Sequence, residues 1–179
     1  SRQLPASLGG YTIGVLVQAN YGGVLMVDGI PVGEELGQYF MRDMTDDGHA
    51  DGSVIVVIAT DAPLSDRNLT RVASRAMLAL GRTGSPATNG SGDYSIAFST
   101  AEAVRRGISD TPLNGLANQK MSPLFQATVE ATEEAILNSL FTANTVEGHR
   151  GPIEAINIDE VRSIIGSYRY DEKKNESDD

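Results

Sequence analysis

The stretch that most restricts what this chain can become is Val54-Ile55-Val56-Val57-Ile58-Ala59, an apolar run entered from Gly52-Ser53 and left through Thr60-Asp61-Ala62-Pro63. β-Branched side chains lose rotamer freedom in a helix and pack well on a pleated surface. Bounded by Gly and Pro, the run reads as a strand. It shows no polar alternation, so it is expected at the centre of a sheet with both faces covered. The Gly-Ser pair ahead of it has a second reading. If the Gly52–Ser53 bond broke, Ser53 would carry a free α-amino group at the mouth of a buried strand. A serine hydroxyl is a weak nucleophile at neutral pH and needs a neighbouring base. A free α-amine titrates near pH ~8 and can be that base. Gly-Ser before a strand is also common loop punctuation, and the spacing alone does not separate the two readings.

Composition removes several classes of function. The chain has 179 residues, enough for one real core, and a net charge of −10 with no basic stripe, which argues against nucleic acid as a partner. No run of ~20 apolar residues is present, so no membrane span is expected. No basic segment followed by an apolar one opens the sequence, so no signal peptide is read and a cytoplasmic location is expected. Cysteine is absent, which excludes disulfides, thiolate ligands and thiol chemistry. His49 and His149 lie far apart in polar loops beside glycine, and both are expected to be solvated. Neither a metal site nor a cofactor is expected.

The remaining pattern alternates strands with amphipathic helices. Residues 1–10 read as irregular, 11–18 as a buried strand ending in the turn cluster Asn20-Tyr21-Gly22-Gly23, and Val24–Val27 as a second strand closed by Asp28-Gly29. Ser65 is placed to cap a helix from Asp66, whose Leu69, Val72, Ala73, Ala76, Met77 and Leu80 recur at helical spacing until Gly81. A long small-residue loop follows, then a strand over 94–100. Ser122-Pro123 opens a second helix, with Ser as cap, and its apolar stripe includes Leu124, Thr128, Thr132 and Ile136. A last strand over 153–158 and a helix over 159–165 precede an acidic end, 169–179, read as disordered. Helices packed on a sheet sandwich, an α/β class, is the expected architecture for a single domain over residues 1–168.

Several blocks then become recognisable together: 11–22 (Tyr-Thr-Ile-Gly-Val-Leu-Val-Gln-Ala-Asn-Tyr-Gly), Gly29–Gly33, Gly52–Leu64, Gly81–Ser85, Ser91-Gly92-Asp93, Ala97–Thr100 and Leu124–Ile136. In this order they resemble the DmpA-type aminopeptidases, which comprise the L-aminopeptidase/D-esterases and β-peptidyl aminopeptidases. The resemblance reaches to about Ile165. It implies a four-layer α-β-β-α sandwich like that of the N-terminal-nucleophile hydrolases. It also implies a precursor that cuts itself between Gly52 and Ser53. Residues 1–52 would then end an α chain and 53–168 would form the β chain. Ser53 matches the nucleophile. Ser91 and Asp93 match the serine and acidic residue that hold its amino group, and Asn20 matches the oxyanion-hole asparagine. The family's α chain carries a further N-terminal part that these residues do not include, and it is expected as a partner. Small peptides, amides or esters are the implied substrates, and a homo-oligomer of αβ units the implied assembly.

Each candidate also has a plainer reading. Asn20 could simply accept a left-handed turn before Gly22. Ser91 and Asp93 sit in a run of turn formers, Asn89-Gly90-Ser91-Gly92-Asp93. Ser1 is a rival N-terminal serine, but no buried strand follows to hold it. Asp61 is expected to cap a turn, and Glu130, Glu133 and Glu134 to lie on a solvated helix surface. Gly84 and Gly90 are expected to permit a close backbone approach. The reading is a self-processing serine aminopeptidase acting through an acyl-enzyme on Ser53. Two rivals remain: a self-processing acyltransferase of the ornithine-acetyltransferase kind, which uses threonine as nucleophile, and a non-catalytic homologue that keeps the fold.

Overall fold

The computed structural model describes residues 1–39, 52–105, 115–149 and 151–177. Part of the acidic stretch before Gly52, including His49, lies outside the described residues. The centre is a four-stranded sheet in the order β1 (Arg2–Gln3), β2 (Thr12–Asn20), β3 (Ser53–Thr60), β4 (Gly92–Ser99). β2 runs antiparallel to both β1 and β3, and β3 runs parallel to β4. A parallel pair needs a crossover, and helix α2 (Asp66–Arg82) supplies it.

The apolar run is therefore a central strand, as read from its composition, but only one of its faces is covered. Val54, Val56 and Ile58 point to the helices and are fully buried, whereas Ile55 on the opposite face is exposed. Alternation along the neighbouring strands follows the same division. Ile13 is buried beneath the helices, and Leu16, Tyr94 and Ile96 stand on the other face at 71%, 68% and 60% exposure. The described residues thus form one helical layer on one sheet of the expected sandwich, in a mixed α/β fold.

The covering layer is α2 and α3 (Ser122–Phe141). Ser65 caps α2, its Oγ accepting from Asn68 N at 3.4 Å. Val72, Ala76 and Leu80 of the expected stripe of α2 are buried, Leu69 and Met77 pack partly buried against the same core, and Asn68 and Ala79 are buried besides. In α3, Ser122 is not the cap; Met121 holds that position, with no side-chain hydrogen bond, and Pro123 sits in the first turn, where a missing N–H costs nothing. α3 buries more than a stripe (Leu124, Ala127, Thr128, Val129, Ala131, Thr132, Ile136) because it packs on both β2 and α2. The buried hydroxyls of Thr128 and Thr132 donate within the helix, to Leu124 O and Thr128 O, each at 2.7 Å.

Four further sequence expectations change. The first residues are not wholly irregular, since Arg2 and Gln3 pair with Ile13 and Thr12. Val24–Val27 is not a strand; only Val27 bridges to Ile30, around Asp28 (φ +54°) and Gly29 (φ +79°), the left-handed pair of a tight turn. Instead of a strand over 153–158, a short hairpin forms from β5 (Val146–Gly148) and β6 (Gly151–Ile153). The final helix α4 starts at Ile158 and continues to Ser177, through the end read as disordered. Neither Gly nor Pro interrupts the chain after Gly166, and Arg, Glu and Lys there are good helix formers. Short helix α1 (Val32–Glu35) and α4 enclose a second, smaller apolar cluster around Val27, Ile30, Val32 and Val161.

Candidate active site at the entry of the central strand

Ser53 is the first residue of β3, and its register neighbours define its surroundings. Asn20, the last residue of β2, pairs with it on one side, and Gly92, the first of β4, on the other. Residues paired directly across a sheet point to the same face. Ser53 and Asn20 therefore share the open face, and both are exposed. A Cβ built on Gly92 would make an ordinary contact with Ser53 Oγ at 3.6 Å, which places the Ser53 hydroxyl beside the start of β4.

Ser91 and Asp93 stand differently. Ser91 Oγ donates to Asp93 Oδ1 at 2.8 Å. Asp93 pairs with Val54, which faces the helices, so this acidic pair lies on the covered side of the sheet. The two sides meet at Gly52. Its carbonyl accepts from Gly92 N at 3.1 Å, and a Cβ on it would lie 3.5 Å from Ser91 Oγ. The sheet end thus places a hydroxyl and an amide side chain on one face, a serine–carboxylate pair on the other, and the Gly52–Ser53 bond between them.

Tyr21 and Thr83 join this site without having been singled out as site residues from the sequence. The Tyr21 hydroxyl lies 2.7 Å from Thr83 Oγ1, just beyond α2. Burial pushes the Tyr21 phenol above its usual pKa, the hydrogen bond to Thr83 opposes that, and the nearby Asp93 charge adds to it. Both residues fall inside the blocks that carry the family resemblance, but nothing in the sequence says they meet. The 83–84 segment is also strapped to the turn after Asn20: Val24 N donates to Gly84 O at 3.1 Å and Met26 N to Thr83 O at 3.2 Å. Gly84 has φ +98°, and a Cβ there would fall on the Val24 carbonyl, which is the close approach expected of it. Gly90 lies in an exposed turn.

The other candidates sit elsewhere. Ser1 precedes β1, which pairs with the Ile13 end of β2, opposite Thr60; that is the far end of the sheet, about 23 Å from Ser53 at the usual rise per residue. Asp61 is at that far end too, where its Oδ1 accepts from Thr12 N at 2.7 Å and caps the start of β2. Glu130 and Glu134 pair with Arg2, and Glu133 with Arg82 at 2.9 Å, so this helix surface is ion-paired rather than simply solvated. His149 is exposed. Among the described residues no cluster of His, Asp and Glu could hold a metal ion, and no helix is long and apolar enough to cross a membrane. A cavity of about 790 Å³ opens beside Asn20 and Tyr21, walled by Leu36, Leu140 and Ile153. Ser53, Ser91 and Asp93 are not in its wall, so it does not reach the hydroxyl.

The pattern of peptidase family S58 matches residues 1–153. The chain is 42% identical over 174 residues to a β-peptidyl aminopeptidase, BapA, of Sphingosinicella microcystinivorans, covering 89% of this chain and 44% of that protein. Among solved structures it is similar to a β-aminopeptidase of Burkholderia sp. (TM-score 0.75, 36% identity, 93% of this chain and 47% of that one). It is also similar to the L-aminopeptidase D-Ala-esterase/amidase of Ochrobactrum anthropi (TM-score 0.73, 35% identity, 89% and 45%). That enzyme is described as a prototype for the serine aminopeptidases and a new variant among the Ntn hydrolase fold. The chain spans less than half the length of each of these relatives. With the family pattern running from the first residue through β6 and the same fold in its solved relatives, the chain belongs to peptidase family S58, a family of aminopeptidases.

Proposed function

We propose that this chain is the catalytic part of a self-processing serine aminopeptidase, with Ser53 as nucleophile. The observation that carries this reading is the meeting of Ser53, Asn20, Gly92 and the Ser91–Asp93 pair around one peptide bond. In self-cleavage the Ser53 hydroxyl attacks the Gly52 carbonyl carbon. The C–N bond breaks, the hydroxyl proton ends on the departing nitrogen, and water then hydrolyses the ester. Charge developing on the Gly52 oxygen meets the Gly92 N–H already in place at 3.1 Å.

The freed α-amine is the base for the second reaction. It takes the Ser53 proton as the hydroxyl attacks a substrate carbonyl, then gives it to the leaving amine. The Asn20 side-chain amide, on the same face as the hydroxyl, donates to the developing oxyanion. Asp93 holds the amine through Ser91 and favours its charged form, and the intervening hydroxyl keeps that bias moderate. Peptides, amides or esters with a free amino terminus are the substrate class. The other part of the family's α chain covers the open sheet face in this reading, which is supported by the apolar side chains left there. The enzyme assembles from αβ units and needs no metal or cofactor for these steps.

The test is the intact mass of the full-length protein beside its Ser53→Ala variant. Wild type is expected to split between Gly52 and Ser53 while the variant stays whole. A variant that still splits there removes Ser53 from the chemistry. An unsplit wild type instead supports the non-catalytic homologue.

A further inference from the structure

One side chain ties the two halves of this site to the helical layer. Thr83 Oγ1 lies 3.0 Å from both Ala79 O and Leu80 O, so its single proton goes to the last turn of α2. Its oxygen is left to accept, and Tyr21 is therefore the donor in the 2.7 Å contact between the hydroxyls. A phenol proton committed in this way is not available to the reaction. At the other end of the same residue, a Cβ on Gly52 would come within 3.1 Å of Tyr21 Cβ and 3.2 Å of its Cα. Gly52 is thus held between Tyr21 and Ser91, and Asn20 is the residue directly before Tyr21.

We propose that Tyr21, anchored through its hydroxyl to Thr83, is a positioning residue that seats the Gly52 carbonyl against Gly92 and the Asn20 amide beside Ser53. The inference rests on Ser53 being the nucleophile. Without the anchor the ring keeps its bulk but loses its fixed depth, and both Gly52 and Asn20 drift with it. Small misplacements at a reacting centre cost rate far more than they cost stability.

The experiment follows splitting of the full-length protein by intact mass against time, across a pH series, with thermal melting of each variant. Tyr21→Phe and Thr83→Val are each expected to slow splitting by roughly ten- to a hundredfold. Thr83→Ser, which restores the hydroxyl, is expected to recover most of the rate. The pH midpoint of splitting stays where wild type has it, because the phenol transfers no proton. In material that has finished splitting, kcat falls and KM holds. Wild-type splitting rates in both Tyr21→Phe and Thr83→Val overturn the proposal. So does a moved pH midpoint in Tyr21→Phe, which would make the phenol a proton carrier, or a slow Tyr21→Phe beside a fast Thr83→Val. If Tyr21→Phe does not fold, the Thr83→Val and Thr83→Ser pair carries the test, and loss of fold in both Tyr21→Phe and Thr83→Val assigns the contact to stability instead. Ser53→Ala run alongside separates the two claims: splitting in that variant overturns the nucleophile, whereas an inert Ser53→Ala with an unaffected Tyr21→Phe overturns the positioning role alone.

Discussion

The two faces of the central sheet are made from the same kinds of side chain, yet one is buried and the other is open. Under the helices, Val54, Val56, Ile58 and Ile13 are sealed against Val72, Ala76, Leu124 and Ile136 in one core. Across the sheet, Leu16, Ile55, Tyr94, Ile96 and Phe98 meet no second layer among the described residues. Ser53 and Asn20 belong to this open face, at its edge. A nucleophile on the sealed face would be unreachable, and one on a loop would lack a fixed direction. Ser53, the nucleophile of the proposed function, is held at the first position of a buried strand by two neighbouring strands while its side chain stays on the exposed face. The difference teaches that the core is built on one face, while the proposed nucleophile and oxyanion donor stand on the other and the Ser91–Asp93 pair on the covered side, with Gly52 and Tyr21 at the seam.

That division can be broken by substitution, and the largest effect belongs to the sealed face. Ile58→Ala is expected to cost about 2–5 kcal/mol in chemical denaturation, from lost burial plus the cavity left behind. A loss well under 1 kcal/mol would mean that the sealed face is not where the fold is held. Next comes Asn20→Ala in the full-length protein. Its kcat is expected to fall about 10²–10³-fold, as for removal of one oxyanion donor, with little change in melting temperature. A large drop in melting with activity retained would return Asn20 to its plainer role as a turn former.

Smaller still is the rim of the helical layer. Arg2 tethers β1 to α3 through Glu130 and Glu134. The Glu134 carboxyl is held below the usual 4.5 chiefly by its hydrogen bond from Arg2. Glu130 is held below it first by the hydrogen bond from Gln126 and then by Arg2. A carboxylate with a lowered folded pKa stabilises the fold above its unfolded pKa, and that contribution is lost as pH falls through the folded value. Arg2→Ala is therefore expected to cost about 0.2–1 kcal/mol at neutral pH, these groups being partly exposed. The deficit against wild type should shrink below pH ~4. A deficit that grows with acid would contradict the assignment. The smallest expected effect is Ile96→Ser on the open face, within about 0.5 kcal/mol for the chain by itself. If the proposed remainder of the α chain covers this face, the same change in the full-length protein is expected to cost several times more. Equal effects in the two settings would show that nothing packs there.

Much of this was legible along the chain for physical reasons. Strand β3 is written in β-branched residues between Gly and Pro, and α2 in a stripe that starts at a serine cap and ends near Gly81. Local chemistry of that kind acts over a few residues and can be read from a few residues. Strand β1 was missed because two residues carry no period, and they are a strand only by pairing with β2. The apolar run Val24–Val27 reads as a strand, but Leu25 and Val27 serve the smaller core under α4 rather than a sheet. The site divides in the same way. Ser53, Asn20, Ser91 and Asp93 were named from motif blocks, whereas Tyr21 and Thr83, 62 residues apart, were not.

The sequence by itself determined the strongly patterned elements, β3 and α2, where the small and polar residues fall, and which family the blocks resemble. Periodicity, capping and turn chemistry are properties of neighbouring residues, so they survive in one dimension. Only the tertiary structure decided that Ser53 and Asn20 share a face, that Asp93 lies on the other, and that a tyrosine anchored to α2 sits against Gly52. Those are consequences of strand register and of which face the helices cover, and both are settled by burial over the whole sheet rather than by any single segment.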